Sequence, residues 1–272
     1  MKRIIILTGS ELRHKFFCQY IASDDGIKVI NSYCEVKKEE PYNDSKNDCN
    51  NRLNHFLTRT VSEKDFFQLF VETVEDCSNS IYLNKGEINN TMYIRKIVAS
   101  KPDLLIAYGC SIIKEPLLSL FSGRFINVHL GLSPYYRGSG TNYWPLVNNE
   151  PEYIGATFMY IDSGIDTGEV IHQIRAKCFW GDGPSQIGNR LILDMSKVYK
   201  DIINNFDSLK KMPQLPVPLN ERFYKRRDYT EDSVLILYKN FYKNLIGKYL
   251  IERNDRCKKV PIIKNNTLER TV

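Results

Sequence analysis

Three polar residues stand at positions where a folded chain could bring chemically useful groups together. Asn127 and His129 lie at the end of an apolar run and are separated by one residue. Residues two apart in a β-strand share a face, so these two side chains are expected to point the same way. Asp166 lies between Gly164 and Gly168, in a segment typical of a tight loop that presents one carboxylate.

An amide, an imidazole and a carboxylate suit the attack of an amine on an acyl donor. The Asn127 amide can stabilise the oxyanion, and the His129 imidazole can take or deliver a proton near neutral pH. The Asp166 carboxylate can orient the imidazole or relay protons. A covalent route through Cys110 is an alternative, although most free cysteines are packing residues. The spacing alone also fits a structural histidine and a turn-forming aspartate.

Strand and helix patterns alternate along the first half of the chain. Residues 4–7 and 104–108 are continuous apolar runs, typical of strands buried on both faces. Helical spacing follows the first run, so the sequence predicts an α/β domain with a mostly parallel sheet. Ligands bind beyond the carboxyl ends of such strands, where Gly9, residues 109–113 and the Asn127/His129 pair are expected to meet.

The first strand-to-helix turn carries two alternatives. The helix that begins after Gly9 and Ser10 could hold a phosphate or carboxylate at its N-terminus, with Arg13 adding positive charge. It is equally compatible with a plain connection between strand and helix. The glycine pattern of a dinucleotide-binding loop is absent from the sequence.

The remaining elements are predicted from periodicity. Residues 154–161 and 169–180 read as two antiparallel strands joined by the Asp166 loop, and residues 187–206 form the strongest amphipathic helix. Residues 36–54 are polar and predict a mobile surface excursion before a helix that starts near Ser62. Pro213, Pro216 and Pro218 mark a linker, so we expect a domain over residues 1–210 and a C-terminal extension over residues 211–272 packed on it, with another helix over residues 234–249.

Composition bounds the class of protein. The 272 residues are 42% hydrophobic and 26% charged, which is ordinary for a globular protein. The net charge of +6 permits an anionic substrate or a nucleic acid without selecting either. Seven cysteines without a Cys-x-x-Cys pair argue against a disulfide framework and a zinc site and favour a cytoplasmic location. No apolar run approaches the roughly 18–20 residues that cross a membrane, and the apolar start is too short for a signal peptide.

Linked motifs make the catalytic interpretation specific. In chain order they are Asn127-x-His129, Ser133-Pro134-x-x-Arg137-Gly138 and Asp162-x-Gly164-x-Asp166-Thr167-Gly168. This combination resembles the signature of the folate-dependent formyltransferases, over roughly residues 1–206. The resemblance implies a Rossmann-like fold, 10-formyltetrahydrofolate as donor and co-substrate, and catalytic roles for Asn127, His129 and Asp166.

The resemblance also implies which residues contact the two substrates. The folate would lie against the segment after the fourth strand and the loop that ends at the aspartate, and the acceptor would lie near the first loop and the arginine-glycine loop. The cofactor-binding residues are then Cys110, Ser111, Ile112, Ile113, Ile161, Asp162 and Ile165, and the substrate-binding residues are Gly9, Ser10, Arg13, Tyr135, Arg137, Gly138 and Trp144. For the aromatic members of that set, packing in the core is an equally weighted alternative.

The branches of that family differ in the acceptor that receives the formyl group. Methionyl-tRNA formyltransferases carry a strand-rich C-terminal barrel, whereas about 60 residues with little strand alternation follow Pro213 here. Because this sequence begins at the first strand, donor hydrolysis is less expected. Residues 138–145 and 85–89 are similar to the sugar N-formyltransferases, which implies a nucleotide-linked deoxyamino sugar as acceptor. A methionyl-tRNA formyltransferase is the alternative enzyme, and a basic nucleotide- or RNA-binding module is the non-enzyme alternative. A homodimer is compatible with the resemblance, and neither a membrane nor nucleic acid is the expected partner.

Overall fold

A computed structural model describes residues 1–36, 50–164, 166–217 and 222–268. The strands in these ranges are β1 (Lys2–Gly9), β2 (Ile27–Val36), β3 (Ser80–Asn84), β4 (Leu104–Tyr108), β5 (Phe125–His129), β6 (Tyr136–Gly138), β7 (Gly155–Tyr160), β8 (Val170–Arg175) and β9 (Arg222–Tyr224). The helices are α1 (Leu12–Ala22), α2 (Asn51–Thr73), α3 (Thr91–Ala99), α4 (Leu117–Leu120), α5 (Trp144–Val147), α6 (Pro184–Asn205), α7 (Glu231–Tyr242) and α8 (Leu245–Lys258). Ile165 and Pro218, both singled out in the sequence, and most of the proposed excursion lie outside the described residues.

Seven of these strands form one twisted sheet in the order β3-β2-β1-β4-β5-β7-β8. The pairs from β3 to β5 are parallel, while β5–β7 and β7–β8 are antiparallel. The prediction of a mostly parallel, Rossmann-like α/β sheet is therefore confirmed, and so is the antiparallel pair joined by the Asp166 loop. The carboxyl ends of β1, β4 and β5 meet at one edge, because parallel neighbours end on the same side.

Alternating residues of the central strands belong to two hydrophobic cores, one on each face of the sheet. Ile4 and Ile6 of β1 face the side covered by α1, α2 and α6, where Phe67 and Ile202 are buried. Ile5 and its alternate neighbours face the side covered by α3 and α4. A strand that buries both faces needs this continuous apolar run, which is why residues 4–7 could be recognised from sequence.

The long amphipathic helix predicted over residues 187–206 is α6, which confirms the periodicity. Its Tyr199 side chain is fully buried beneath the sheet. The hydroxyl donates to the carbonyl oxygens of Ile126 at 3.0 Å and Ala107 at 3.3 Å. The helix is thereby fixed to β5, the strand that carries Asn127 and His129, and to its neighbour β4.

Replacing Tyr199 with phenylalanine is expected to lower the free energy of unfolding by about 1–2 kcal/mol, because two buried carbonyl oxygens lose a donor while the ring volume is retained. Urea unfolding followed by circular dichroism measures the change. Tyr242→Phe is the matched control, since Tyr242 is 92% exposed and its change should stay within about 0.5 kcal/mol. Equal unfolding midpoints for the two variants would contradict the role of this hydroxyl.

The start of α2 differs from the sequence prediction. The helix begins at Asn51 rather than near Ser62, so part of the proposed surface excursion is helical. Asn50 caps it, because its side chain accepts from the Leu53 amide at 3.0 Å. The polar first turns also contact α7, where the Glu231 carboxylate accepts from the Arg52 amide. Because Glu231 is 179 positions away in the chain, no local sequence pattern predicts that these first turns are helical.

The C-terminal part also differs in detail. The single helix expected over residues 234–249 is two helices, α7 and α8, separated by Asn244 in the left-handed conformation at φ 62°. Asparagine tolerates that conformation better than most residues, so the break carries only a weak sequence signal. The strand after Gly168 is shorter than predicted, since β8 ends at Arg175. Helix α7 packs near α2 and α5, while the division at residue 210 stays a prediction.

Candidate active site

Strand β5 positions the first two candidate catalytic residues. It lies between β4 and β7, with Asn127 paired to Ala107 on one side and Met159 on the other. Asn127 is partly exposed, and His129 is 8% exposed. Because the strand is hydrogen-bonded on both edges, the two side chains are held at fixed spacing at the carboxyl end of the sheet.

The loop between β7 and β8 brings Asp166 to His129. The Asp166 Oδ2 atom lies 3.1 Å from His129 Nδ1, and both side chains are largely buried. Asp166 has φ 55°, a left-handed conformation that aspartate and asparagine adopt more readily than other residues with a Cβ. The predicted convergence of an amide, an imidazole and a carboxylate is thus compatible with the geometry.

The Asp166 loop is built on a second carboxylate. Asp162 Oδ1 accepts from the Gly164 amide at 3.0 Å and from the Thr167 hydroxyl at 2.8 Å. Gly168 closes the loop at the start of β8, and a Cβ there would lie 1.8 Å from the Tyr160 carbonyl oxygen. Asp162 and Gly168 therefore shape the loop, which explains why this glycine is required on steric grounds.

Gln214, which lies after α6, forms hydrogen bonds with the backbone of the Asp166 loop. Its Nε2 donates to the carbonyl oxygens of Asp166 at 2.7 Å and Gly168 at 3.0 Å. Its Oε1 accepts from Arg137 at 3.3 Å. The sequence did not single out Gln214, because one glutamine in a proline-marked linker forms no pattern. These contacts link Arg137, a predicted substrate-binding residue, to the loop that carries Asp166.

The contacts of His129 distinguish its two ring nitrogens. A proton on Nδ1 can be donated to Asp166, which favours the neutral tautomer in which Nε2 is the proton acceptor. Nε2 lies 3.4 Å from the Tyr136 carbonyl oxygen, to which it can donate once it has taken up a proton. A Cβ on Gly131 would lie 2.6 Å from Nε2 and 2.7 Å from Thr141 Cβ. The glycine therefore leaves space beside the nitrogen that would exchange a proton with a substrate.

Residues of the first loop surround a buried histidine. Gly9 ends β1, and a Cβ there would lie 2.7 Å from the His14 ring; the same ring lies as close to a Cβ built on Gly109. Arg13 pairs with Glu63 at 2.8 Å and Glu11 at 3.4 Å. Ser10 follows Gly9 and is partly exposed. The glycines at the ends of β1 and β4 thus leave space for the His14 ring. Arg13 forms its ion pairs with Glu11 and Glu63.

The segment after β4 lies at the same edge of the sheet. Ile113 is 8% exposed and points into the core, whereas Ile112 is 69% exposed. Desolvation and the nearby Glu35 carboxylate raise the pKa of Cys110 to about 12. A thiol with that pKa is protonated at neutral pH, which disfavours the covalent alternative through Cys110.

Several predicted substrate-binding residues lie in well-packed positions. The Trp144 ring stacks on Tyr224 at 4.1 Å between centroids, and its indole nitrogen donates to the Ser139 carbonyl oxygen at 3.0 Å. The Tyr135 hydroxyl donates to the Pro261 carbonyl oxygen at 2.9 Å. Gly138, at φ 88°, closely approaches the Tyr224 backbone in the β6–β9 pair. For Trp144 and Tyr135 these contacts correspond to the core-packing alternative.

A cavity of about 270 Å³ adjoins the residues after His129. Leu130 and Thr141 line it, and so do His55 and Arg59 of α2. Burial and the charge of Arg59 lower the pKa of His55 to about 4, so this ring is neutral at physiological pH. Sequence reasoning missed both α2 residues, since they fall at and just beyond the end of the polar stretch, before the predicted helix start.

Neither a cluster of metal-ligand side chains nor a helix that could span a membrane occurs in the part of the chain that the structure describes. No group of three or more His, Cys, Asp or Glu side chains there could hold a metal ion. None of its helices is long and apolar enough to span a bilayer.

Curated relatives and solved structures match this chain. It is 35% identical over 118 residues to a methionyl-tRNA formyltransferase of Desulforamulus reducens, covering 42% of this chain and 37% of that protein. It is 30% identical over 189 residues to the Thermodesulfovibrio yellowstonii enzyme of the same name, covering 65% and 59%. The chain thus spans less than two thirds of the length of these relatives.

Solved structures share the fold at low identity. A sugar N-formyltransferase from a Shewanella species matches with a TM-score of 0.56 at 16% identity, over 87% of each chain. An N-formyltransferase from Helicobacter canadensis, solved with folinic acid and dTDP-3-aminofucose, matches with a TM-score of 0.52 at 17% identity, over 87% of this chain and 79% of that one.

The family model gives the broadest assignment. The model described as formyl transferase matches residues 51–203, which is more than half of the chain. That span contains β5, the Asp166 loop and most of α6. The chain therefore belongs to the formyl transferase family.

Proposed function

We propose that this protein transfers a formyl group from 10-formyltetrahydrofolate to the amino group of a nucleotide-linked deoxyamino sugar, a step in making surface polysaccharides. The observation that carries the proposal is the 3.1 Å contact between His129 Nδ1 and Asp166 Oδ2, at the strand end that also carries Asn127. Family membership supplies the reaction class, and the arrangement of these three side chains supplies the parts that the class requires.

In the proposed mechanism the neutral acceptor amine attacks the formyl carbon. The Asn127 amide donates a hydrogen bond to the oxygen as it becomes negatively charged. His129 Nε2 accepts the proton that the attacking nitrogen must lose, while Asp166 holds the ring and stabilises its charged form. The bond between the formyl carbon and the folate nitrogen then breaks as that nitrogen takes up a proton. The products are a formamide and tetrahydrofolate.

The donor would lie between the segment after β4 and the loop after β7. Residues 110–113 follow β4, which neighbours β5 on one side. Residues 161–162 follow β7 on the other side, where the Ile161 amide donates to the Phe125 carbonyl oxygen, and the loop then reaches His129 through Asp166. The exposed Ile112 side chain offers apolar surface beside backbone polar groups, which suits a flat heteroaromatic ring. The Helicobacter canadensis structure contains folinic acid, a reduced folate, which supports a folate as donor.

The choice of acceptor depends on different evidence. Curated relatives favour methionyl-tRNA, and two solved structures are formyltransferases for sugars or were solved with a nucleotide-linked amino sugar. The solved structures, each matched over 87% of this chain, support a sugar acceptor, with methionyl-tRNA as the second candidate.

An acceptor screen tests the proposal. The protein is incubated with 10-formyltetrahydrofolate and a panel of amino-sugar nucleotides, with methionyl-tRNA and an acceptor-free mixture in parallel, and tetrahydrofolate is followed by absorbance. Acceptor-dependent tetrahydrofolate formation with one of the sugars is the expected result. Release only with the tRNA would replace the sugar by the second candidate, and no release with any acceptor would favour a binding module.

A further inference from the structure

A buried carboxylate lies at the carboxyl end of β2, outside the catalytic group. Glu35 is 6% exposed. Its Oε1 accepts from the Gly86 amide at 2.7 Å, and its Oε2 accepts from the Ser111 amide at 2.6 Å. Those amides are 51 and 76 positions away in the chain. One side chain therefore ties together the ends of β2, β3 and β4.

Both oxygens of Glu35 face N–H donors, and this determines which residue type fits. No basic side chain among the described residues pairs with this carboxylate. A buried carboxylate is costly unless its oxygens accept strong hydrogen bonds, and two backbone amides supply them here. A glutamine of the same size would direct an NH₂ group at one of the amides, so only an acceptor-only group satisfies both partners.

Asn89 forms two further hydrogen bonds with the segment after β4. Its Nδ2 donates to the Ile112 carbonyl oxygen at 3.0 Å, and its Oδ1 accepts from the Lys114 amide at 2.8 Å. Residues 111–114 have no regular secondary structure. Three of their backbone atoms are thus held by two side chains from the neighbouring strand ends, which compensates for the lack of a sheet partner.

These contacts fix the backbone conformation of residues 111–114 and leave the Ile112 side chain accessible to a ligand. Both side chains approach from the β2–β3 side, while Ile112 remains 69% exposed. Fixing a mobile backbone costs conformational entropy at each residue that becomes ordered. A segment that is already fixed does not have to be ordered by a ligand, so its affinity is higher.

We propose that Glu35 and Asn89 are positioning residues for the formyl donor, which hold residues 111–114 in the conformation that receives the folate ring. This inference depends on the proposed function, because it assigns the folate to that segment. Loss of either side chain should weaken donor binding selectively. The rate at saturating donor depends on Asn127, His129 and the Asp166 loop, which lie on and beside β5.

The test compares Glu35→Gln with Glu152→Gln. Glu152 is a matched control, because it is also buried at 8% exposure and is paired, with Arg256 at 2.8 Å. Calorimetry measures the Kd of folinic acid, and steady-state kinetics measure both KM values and kcat. Hydrogen exchange is followed in peptides that contain Gly86 and Ser111. We expect Glu35→Gln to raise the folinic acid Kd and the donor KM about tenfold, with kcat nearly unchanged and faster exchange at both sites.

Glu152→Gln should keep wild-type donor affinity and wild-type exchange in those peptides, even if its stability falls. Asn89→Asp is the second variant, and it carries the test if Glu35→Gln does not fold. It retains the acceptor for Lys114 but turns a second oxygen toward the Ile112 carbonyl, so a rise in donor KM is again expected.

Two failures can be told apart. A folded Glu35→Gln protein with wild-type donor affinity and wild-type exchange at Ser111 would overturn the positioning role and leave the proposed function intact. A wild-type protein that does not bind folinic acid would overturn the donor assignment itself and the positioning role with it.

Discussion

Replacing His129 with alanine is expected to lower kcat by about 10²- to 10⁴-fold, the range typical of losing a general acid–base group. The imidazole is the group at the end of β5 that can take the amine proton, and its Nδ1 is already held by Asp166. Because the variant keeps the strand and the donor segment, it should fold and bind folinic acid like the wild type. Tetrahydrofolate formation and calorimetric binding measure the two effects separately.

His172→Gln is the matched control for that experiment. His172 is also buried, in β8, and its Nδ1 accepts from the Asn265 amide at 3.0 Å. Its replacement should cost stability while kcat stays within a few fold of wild type. If His129→Ala retained wild-type turnover, His129 would be a structural histidine, which is the alternative that its spacing left open.

Replacing Asp166 with asparagine is expected to reduce kcat by a similar factor, about 10²- to 10⁴-fold. Asparagine is nearly isosteric and also tolerates φ 55°, so the loop should keep its shape. The amide lacks the negative charge that stabilises a protonated ring, and it can bind the wrong tautomer of His129. Donor affinity should be little changed, because Asp162 and Gln214 continue to hold the loop.

The double variant tests whether His129 and Asp166 act as one unit. Groups that cooperate in one proton transfer give strongly non-additive losses when they are removed together. Combining His129→Ala with Asp166→Asn should therefore cost little more than His129→Ala alone. Multiplicative losses would mean that Asp166 has a role independent of the ring. A loss under threefold in Asp166→Asn alone would remove the carboxylate from the mechanism.

The parts of the fold that could be predicted depend on local repetition. The buried run at residues 4–7 and the helical spacing along α6 repeat with the period of their own element, so each was recognised directly. The sheet edge that carries Asn127 and His129 followed from the order of the strands. The start of α2 was missed, because its polar first turns are stabilised by α7 through Arg52 and Glu231.

The residues of the candidate site also differ in whether a local sequence pattern marks them. Asn127, His129 and Asp166 could be found because their motifs are short and linked in order. Gln214 and Glu35 could not, since their partners lie 48 and 76 positions away and no local pattern marks them. Arg59 was missed because its segment was read as preceding the helix. Residues defined by one long-range hydrogen bond become visible only when the chain is folded.

Transfer of an isotopically labelled formyl group tests the central claim most directly. Wild-type protein and Asp166→Asn are saturated with 10-formyltetrahydrofolate that carries labelled carbon in the formyl group, and the acceptor found in the screen is then added. The wild type is expected to place the label on the acceptor nitrogen with an equal amount of tetrahydrofolate, while the variant binds the donor but transfers almost none. Wild-type transfer by Asp166→Asn, or label released as formate without acceptor formylation, would contradict the account.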